Sequence, residues 1–139
     1  METKFNFKSS VCTSREQSER LLALGLKKET ADMCYQIAYW DCGFLKECSP
    51  SLIPHNIIDG DRFIPAWSLH RLWDILPEDV EVDDSRYVTS HLEGKKAIVY
   101  HDYGCHYYNF DKKNNIYDNI IDCIEWLIKK GYFNKEYLV

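Results

Sequence analysis

The chain has 139 residues, 45% of them apolar and 28% charged, a balance suited to one soluble globular domain spanning 1–139 with a sizeable core. Seventeen Lys and Arg stand against 22 Asp and Glu, a net charge of −5, which argues against nucleic-acid binding because that depends on a basic surface. No segment has the roughly 18 consecutive apolar residues of a membrane helix or the apolar run of a signal peptide, so the expected location is the cytoplasm, with the six cysteines as thiols.

In chain order, the first helix signal is "TSREQSERLLALGL". Ser14 and Gln17 have the spacing of a capping box, in which each side chain bonds the other's backbone N–H. Leu21, Leu22 and Leu24 give a short apolar face, and Gly25 ends the helix so that Leu26 folds back toward Leu21. A shorter helical turn is expected from Thr30 through Ala31, Met33 and Cys34. In "IPAWSLHRLWDILP", Ser68 is the N-cap, Leu69, Leu72, Trp73 and Leu76 fall on one face, and Pro77 closes the helix. His70, Arg71 and Asp74 take its outer side. The last helix carries Tyr117, Ile120, Ile121, Ile124, Leu127 and Ile128 on its core face. Asp118, Asp122, Glu125 and Lys129 are expected toward solvent, with Gly131 and Tyr132 as the terminating pair.

Between the helices the period changes to two. "QIAYWDCGFLKEC" and "KKAIVYHDYGCHYYNF" read as strand, Asp-x-Gly, strand, and "NIIDGDRFI" as a third hairpin turning at Asp59-Gly60. A further strand lies in "SRYVTSHLEGKKAIVYH" before the loop at Glu93-Gly94-Lys95, and "LPEDVEVDD", residues 76–84, reads as an acidic connector. The fold class that follows is α+β: an antiparallel meander of hairpins packed against about three α-helices.

Chemistry-bearing residues concentrate in "YHDYGCHYYNF". A three-residue loop of Asp102, Tyr103 and Gly104 pairs His101 with Cys105, Tyr100 with His106, and Val99 with Tyr107. Alternation then sends His101 and Cys105 to one face and His106 to the other, so no single metal collects all three. An even loop would instead make His101 and His106 neighbours, and a hydrolase using His101, Cys105 or His106 as metal ligands or thiol site is the alternative reading. Zinc wants three or four ligands, and the remaining cysteines show no C-x-x-C spacing, so no metal or other cofactor is assigned. Metal-dependent phosphohydrolases share the His101-Asp102 dipeptide, but on a helix rather than at a strand–turn junction. Asp59 with Asp61 and Asp83 with Asp84 suit turns. No G-x-G-x-x-G, P-loop or G-x-S-x-G motif is present, so no catalytic residue is assigned.

The aromatic surplus, ten tyrosines among it, surrounds two turns: Tyr39, Trp40 and Phe44 at one, Tyr100, Tyr103, Tyr107 and Tyr108 at the other. Strand packing accounts for many such residues. A sheet covered by helices on one side leaves tyrosines exposed on the other, and exposed tyrosine is typical of protein interfaces. Tyr100, Tyr103, Tyr107 and Tyr108 are therefore the candidate surface for a protein partner or for self-association.

Three segments, "LLALGLKKETADMCY", "IPAWSLHRLWDILP" and "NIIDCIEWLIKKGY", together resemble a family of small uncharacterised proteins of gut bacteria, their prophages and other mobile elements. The shared order is a leucine-rich helix ending in Gly-Leu, a Thr-Ala-Asp-Met turn, an Ile-Pro-x-Trp-Ser helix start, strands and an amphipathic helix. The resemblance covers about a third of the chain and implies a bacterial or phage cytosolic accessory protein, a modulator or inhibitor of host machinery. It carries over no site residue.

Overall fold

A computed structural model describes residues 9–39, 45–47, 51–52, 63–82, 86–102 and 107–139. Three α-helices, α1 (Arg15–Ala23), α2 (Leu69–Ile75) and α3 (Ile116–Lys130), accompany eight strands: β1 (Met33–Tyr39), β2 (Leu45–Glu47), β3 (Ser51–Leu52), β4 (Phe63–Ala66), β5 (Asp79–Val82), β6 (Arg86–Glu93), β7 (Ala97–His101) and β8 (Tyr107–Phe110). In the first sheet β1 pairs antiparallel with β2, β3 and β4. The second sheet is an antiparallel meander in the order β5-β6-β7-β8. The fold is α+β, with the three helices packed against antiparallel sheet, and no described helix is long and apolar enough to cross a membrane.

Local chemistry sets the helix ends. Ser14 and Gln17 form both halves of the capping box, at 3.2 and 2.8 Å. The turn after α1 places Gly25 at φ 99°, a left-handed conformation that side-chain-bearing residues resist, and the Leu26 amide donates to the Leu21 carbonyl. Both leucines are buried, whereas Leu22 is exposed. Gly131 ends α3 in the same way, with the Tyr132 amide bonded to the Leu127 carbonyl at 2.9 Å. At α2, the Asp32 carboxylate accepts from both the amide and the hydroxyl of the N-cap Ser68. Leu76 caps the end of α2 in extended conformation, and Ile75 is buried on its core side.

The core gathers residues of all three helices and of β5, β6 and β7 around the apolar face of α3. Tyr117, Ile120, Ile121, Ile124 and Leu127 are buried as the period predicts, joined by Cys123 and Asn119. Ile128 is partly buried against the same cluster. Asn119 is wholly enclosed and fully bonded, donating to the carbonyls of Lys96 and Lys113 and accepting from the Lys113 amide. Thr13 and Ser18 share a 2.8 Å hydroxyl contact, and Thr13 Oγ1 also accepts from the Trp67 amide. These three buried polar side chains thus keep partners, which avoids the penalty of a desolvated donor or acceptor.

Four expectations change. Met33 and Cys34 open β1 rather than extending a helical turn; only Lys28–Thr30 is helical there, as a single 3₁₀ turn, because β3 and β4 supply ladder bonds that an isolated turn cannot match. The acidic connector contains β5, whose Val80 and Val82 point inward while Asp79 and Glu81 face out. Asp118, Asp122 and Glu125 do not simply face water: Gln17 donates to Asp118 at 2.9 Å, and Arg20 reaches Asp122 at 2.6 Å and Glu125 at 3.0 Å. Finally, the β7–β8 register pairs His101 with Tyr107 and Tyr100 with Tyr108, leaving five residues in the loop instead of three. Sliding by two residues keeps each side chain on its face, so alternation alone cannot choose between the two registers. Packing chooses, by setting Tyr108 and Phe110 against Trp126 of α3, at ring separations of 4.8 and 5.5 Å.

Candidate functional site

The second sheet has one face turned to α3 and one turned away. Ile98 and Tyr100 of β7 and Val88 of β6 enter the core, so their strand neighbours project from the opposite side. The ladder then sets out that outer face. Asp79 lies opposite Thr89, Glu81 opposite Tyr87, Thr89 opposite His101, and His91 opposite Val99.

Tyr87 is 60% exposed, the most exposed described aromatic side chain. Asp79 accepts a 2.7 Å hydrogen bond from the Thr89 hydroxyl, which holds that carboxylate at the β5 margin. His91 and His101 occupy diagonal positions on β6 and β7, and their rings stack with centroids 4.2 Å apart and planes inclined by 19°. His101 Nδ1 lies 3.4 Å from the Asp102 carbonyl oxygen, at the outer limit of a hydrogen bond. Val99 is 2% exposed yet stands outside the main core cluster, directly opposite His91 and two residues before His101 on β7. The result is a shallow aromatic centre with an acidic margin at Asp79 and Glu81. Flat ring faces offer stacking area.

The tyrosines nominated from sequence separate. Tyr100 is fully buried and donates its hydroxyl to the Pro77 carbonyl at 2.6 Å, so it belongs to the core and not to a contact surface. Burial holds its phenol well above the usual range, which keeps it neutral. Tyr108 is half-buried against Trp126 on the same inner side. The backbone of Tyr107 pairs with His101, and its side chain lies outside the described residues. Tyr103, Cys105 and His106 also lie outside them, as do Trp40, Phe44 and the proposed turn at Asp59-Gly60.

Among the described residues no group of three or more His, Cys, Asp or Glu side chains could hold a metal ion. Cys12, Cys34 and Cys123 are all buried. Burial raises the Cys12 thiol pKa against the lowering effect of its contact with Tyr35, and burial raises that of Cys123 further. Neither is a ready thiolate nucleophile, since reactive cysteines need the opposite shift. The sequence reading missed Tyr87 and His91. The signal was present in the alternation of "RYVTSHL", which puts residues 87, 89 and 91 on one face, but only the register of β6 against β7 brings His91 to His101. No known protein family matches this chain, nor does any curated protein or solved structure.

Proposed function

We propose that this chain is a non-enzymatic accessory protein of the cytoplasm that holds a protein partner on the outer face of its second sheet. The observation that carries the reading is the pairing of an exposed Tyr87 with the stacked His91 and His101 on a face turned away from α3. Aromatic side chains of limited rotamer freedom bury large areas at little entropic cost, which suits an anchor surface.

Charge selects the kind of partner. Asp79 and Glu81 border the face, and the whole chain carries −5. The complementary occupant is a protein segment that lays an apolar or aromatic side chain over Tyr87 and places Lys or Arg beside the two carboxylates. A second copy of the same face would bring acid against acid. The resemblance to small proteins of gut bacteria and their mobile elements suggests a bacterial host protein, with modulation or inhibition as the outcome.

Parallel capture from bacterial lysate with the wild type and with a Tyr87→Ser, His91→Ser double variant tests this reading. The expected result is a protein retained by the wild type, released by added salt, and reduced at least about tenfold by the variant, the loss of an anchor residue. Equal recovery by both proteins refutes it, as does a stable wild-type dimer that the variant dissociates, which would make the face a self-association surface.

A second reading, a hydrolase using His101, Cys105 or His106 with a metal or thiol, gains from His91 standing against His101. Stoichiometric zinc or manganese retained by the purified protein, and lost in His91→Ala, would favour it over the binding role.

A further inference from the structure

A second cleft lies where the β6–β7 turn approaches the start of α3. Its volume is about 790 Å³, and although the protein is acidic, no carboxylate is among the described residues that line it. Lys95, Lys96, His70 and the serines at 9 and 10 are among the residues that line it. Val11, Leu69, Ile116 and the buried ring of Tyr117 supply an apolar wall.

The lysines are mounted on a braced turn. Gly94, at φ 63°, permits a three-residue reversal between the paired residues Glu93 and Ala97. The carbonyl of Lys96 is then tied to the enclosed Asn119 of α3 at 2.9 Å, and the same Asn119 side chain grips both the amide and the carbonyl of Lys113. One buried amide thus holds the lysine turn and the segment leading into α3 in a fixed relation. Within the same lining, the Tyr117 hydroxyl donates to the Ser10 carbonyl at 2.8 Å. Val11 is 66% exposed, an apolar side chain open to solvent beside this cleft.

We infer that this cleft binds a small phosphate monoester with a flat, partly apolar body, of the size of a nucleoside monophosphate. Two lysine ammonium groups and the serine hydroxyls are the donors a phosphate recognises. No carboxylate lines the cleft itself; Asp32 stands behind its wall, where both carboxylate oxygens are bonded to the amide and hydroxyl of Ser68. The volume lies within the 300–1,000 Å³ typical of small-molecule sites, and the Val11–Leu69–Ile116 wall would cover the body of such a ligand. This site is separate from the outer sheet face and does not depend on it.

Amide NMR titration of the full chain with adenosine monophosphate, and separately with inorganic phosphate, tests the inference. Saturable shifts are expected at Lys95, Lys96 and residues 115–117, with inorganic phosphate weaker than the nucleotide. A Lys95→Glu, Lys96→Glu variant is expected to weaken the nucleotide by at least about tenfold, the loss of two charge-assisted contacts. Both side chains are exposed, so the variant should retain the wild-type far-ultraviolet spectrum. Absence of saturable shifts, shifts clustered elsewhere, or unchanged affinity in the variant would overturn the site. Equal affinity for inorganic phosphate and nucleotide would overturn the apolar-body assignment. Tighter binding of a single-stranded oligonucleotide through the same residues would make the ligand a nucleic acid instead.

Discussion

The hydroxyl of Tyr100 donates to the carbonyl oxygen of Pro77 at 2.6 Å, joining the C-terminal end of β7 to the middle of the α2–β5 connection. The contact gives a structural role to a residue of the stretch in which the chemistry-bearing side chains concentrate. It also divides the sheet, since a side chain that anchors the inner face leaves its neighbours Val99 and His101 to the outer one.

Replacing Tyr100 by Phe removes only the hydroxyl and should lower unfolding free energy by about 1 kcal/mol, the usual worth of one hydrogen bond. Tyr100→Ala also vacates the space beside Trp126 and should lower it by about 3–5 kcal/mol. Urea unfolding followed by tryptophan fluorescence measures both. A contact-surface tyrosine would show neither loss.

Asn119 serves two loops at once, so Asn119→Ala should cost more than one bond: about 2–4 kcal/mol, because the Lys113 amide and the Lys96 carbonyl lose their shared partner inside the fold. Hydrogen exchange should show the Lys113 amide opening first.

Acid should weaken the α1–α3 junction. Hydrogen bonds from Arg20, then from Lys129, hold the Glu125 carboxyl below its ordinary range in the folded chain. Its folded pKa is depressed, so its stabilisation is present above the unfolded value of about 4.3 and disappears as pH falls through the folded one. Glu125→Gln should therefore flatten the acid limb of a stability–pH profile and leave the neutral-to-alkaline limb in place. Opposing burial, the bonds to Asp122 and Glu125 raise the Arg20 pKa further, so the arginine stays charged throughout that range.

The alkaline limb should have a different source. Burial raises the thiol pKa values of Cys12 and Cys123 in the folded chain, while the unfolded thiols ionise near pH 8.5. Folded values above unfolded ones contribute stability that is complete below about pH 8.5 and declines as pH rises beyond it. Cys123→Ala should shallow that decline. In the native protein Cys123, enclosed on α3, should react with a thiol reagent only at the rate of unfolding, as mass mapping of labelled peptides would show.

The helices were the most legible part of the sequence. Ser14 with Gln17, Ser68, and Gly131 with Tyr132 are local signals whose partners lie within a few residues, and the structure places each as its chemistry requires. Strand β5 was hidden because acidic Asp79 and Glu81 dominate a short segment whose two inward valines are its only apolar mark. The β7–β8 register was hidden for a stricter reason: slips of two residues preserve alternation, and only Trp126, distant in sequence, separates the two. The candidate face was legible only in part. His101 stood out, but Tyr87 and His91 became visible only once β6 was set beside β7.

Site-specific photo-crosslinking tests the binding face most directly. A photoreactive phenylalanine at position 87 samples the outer face of the second sheet, and one at position 22, also exposed, samples α1. The account predicts a discrete adduct with a bacterial protein from position 87 and none from position 22. Adducts from position 22 alone, or only a homodimer from position 87, would contradict it.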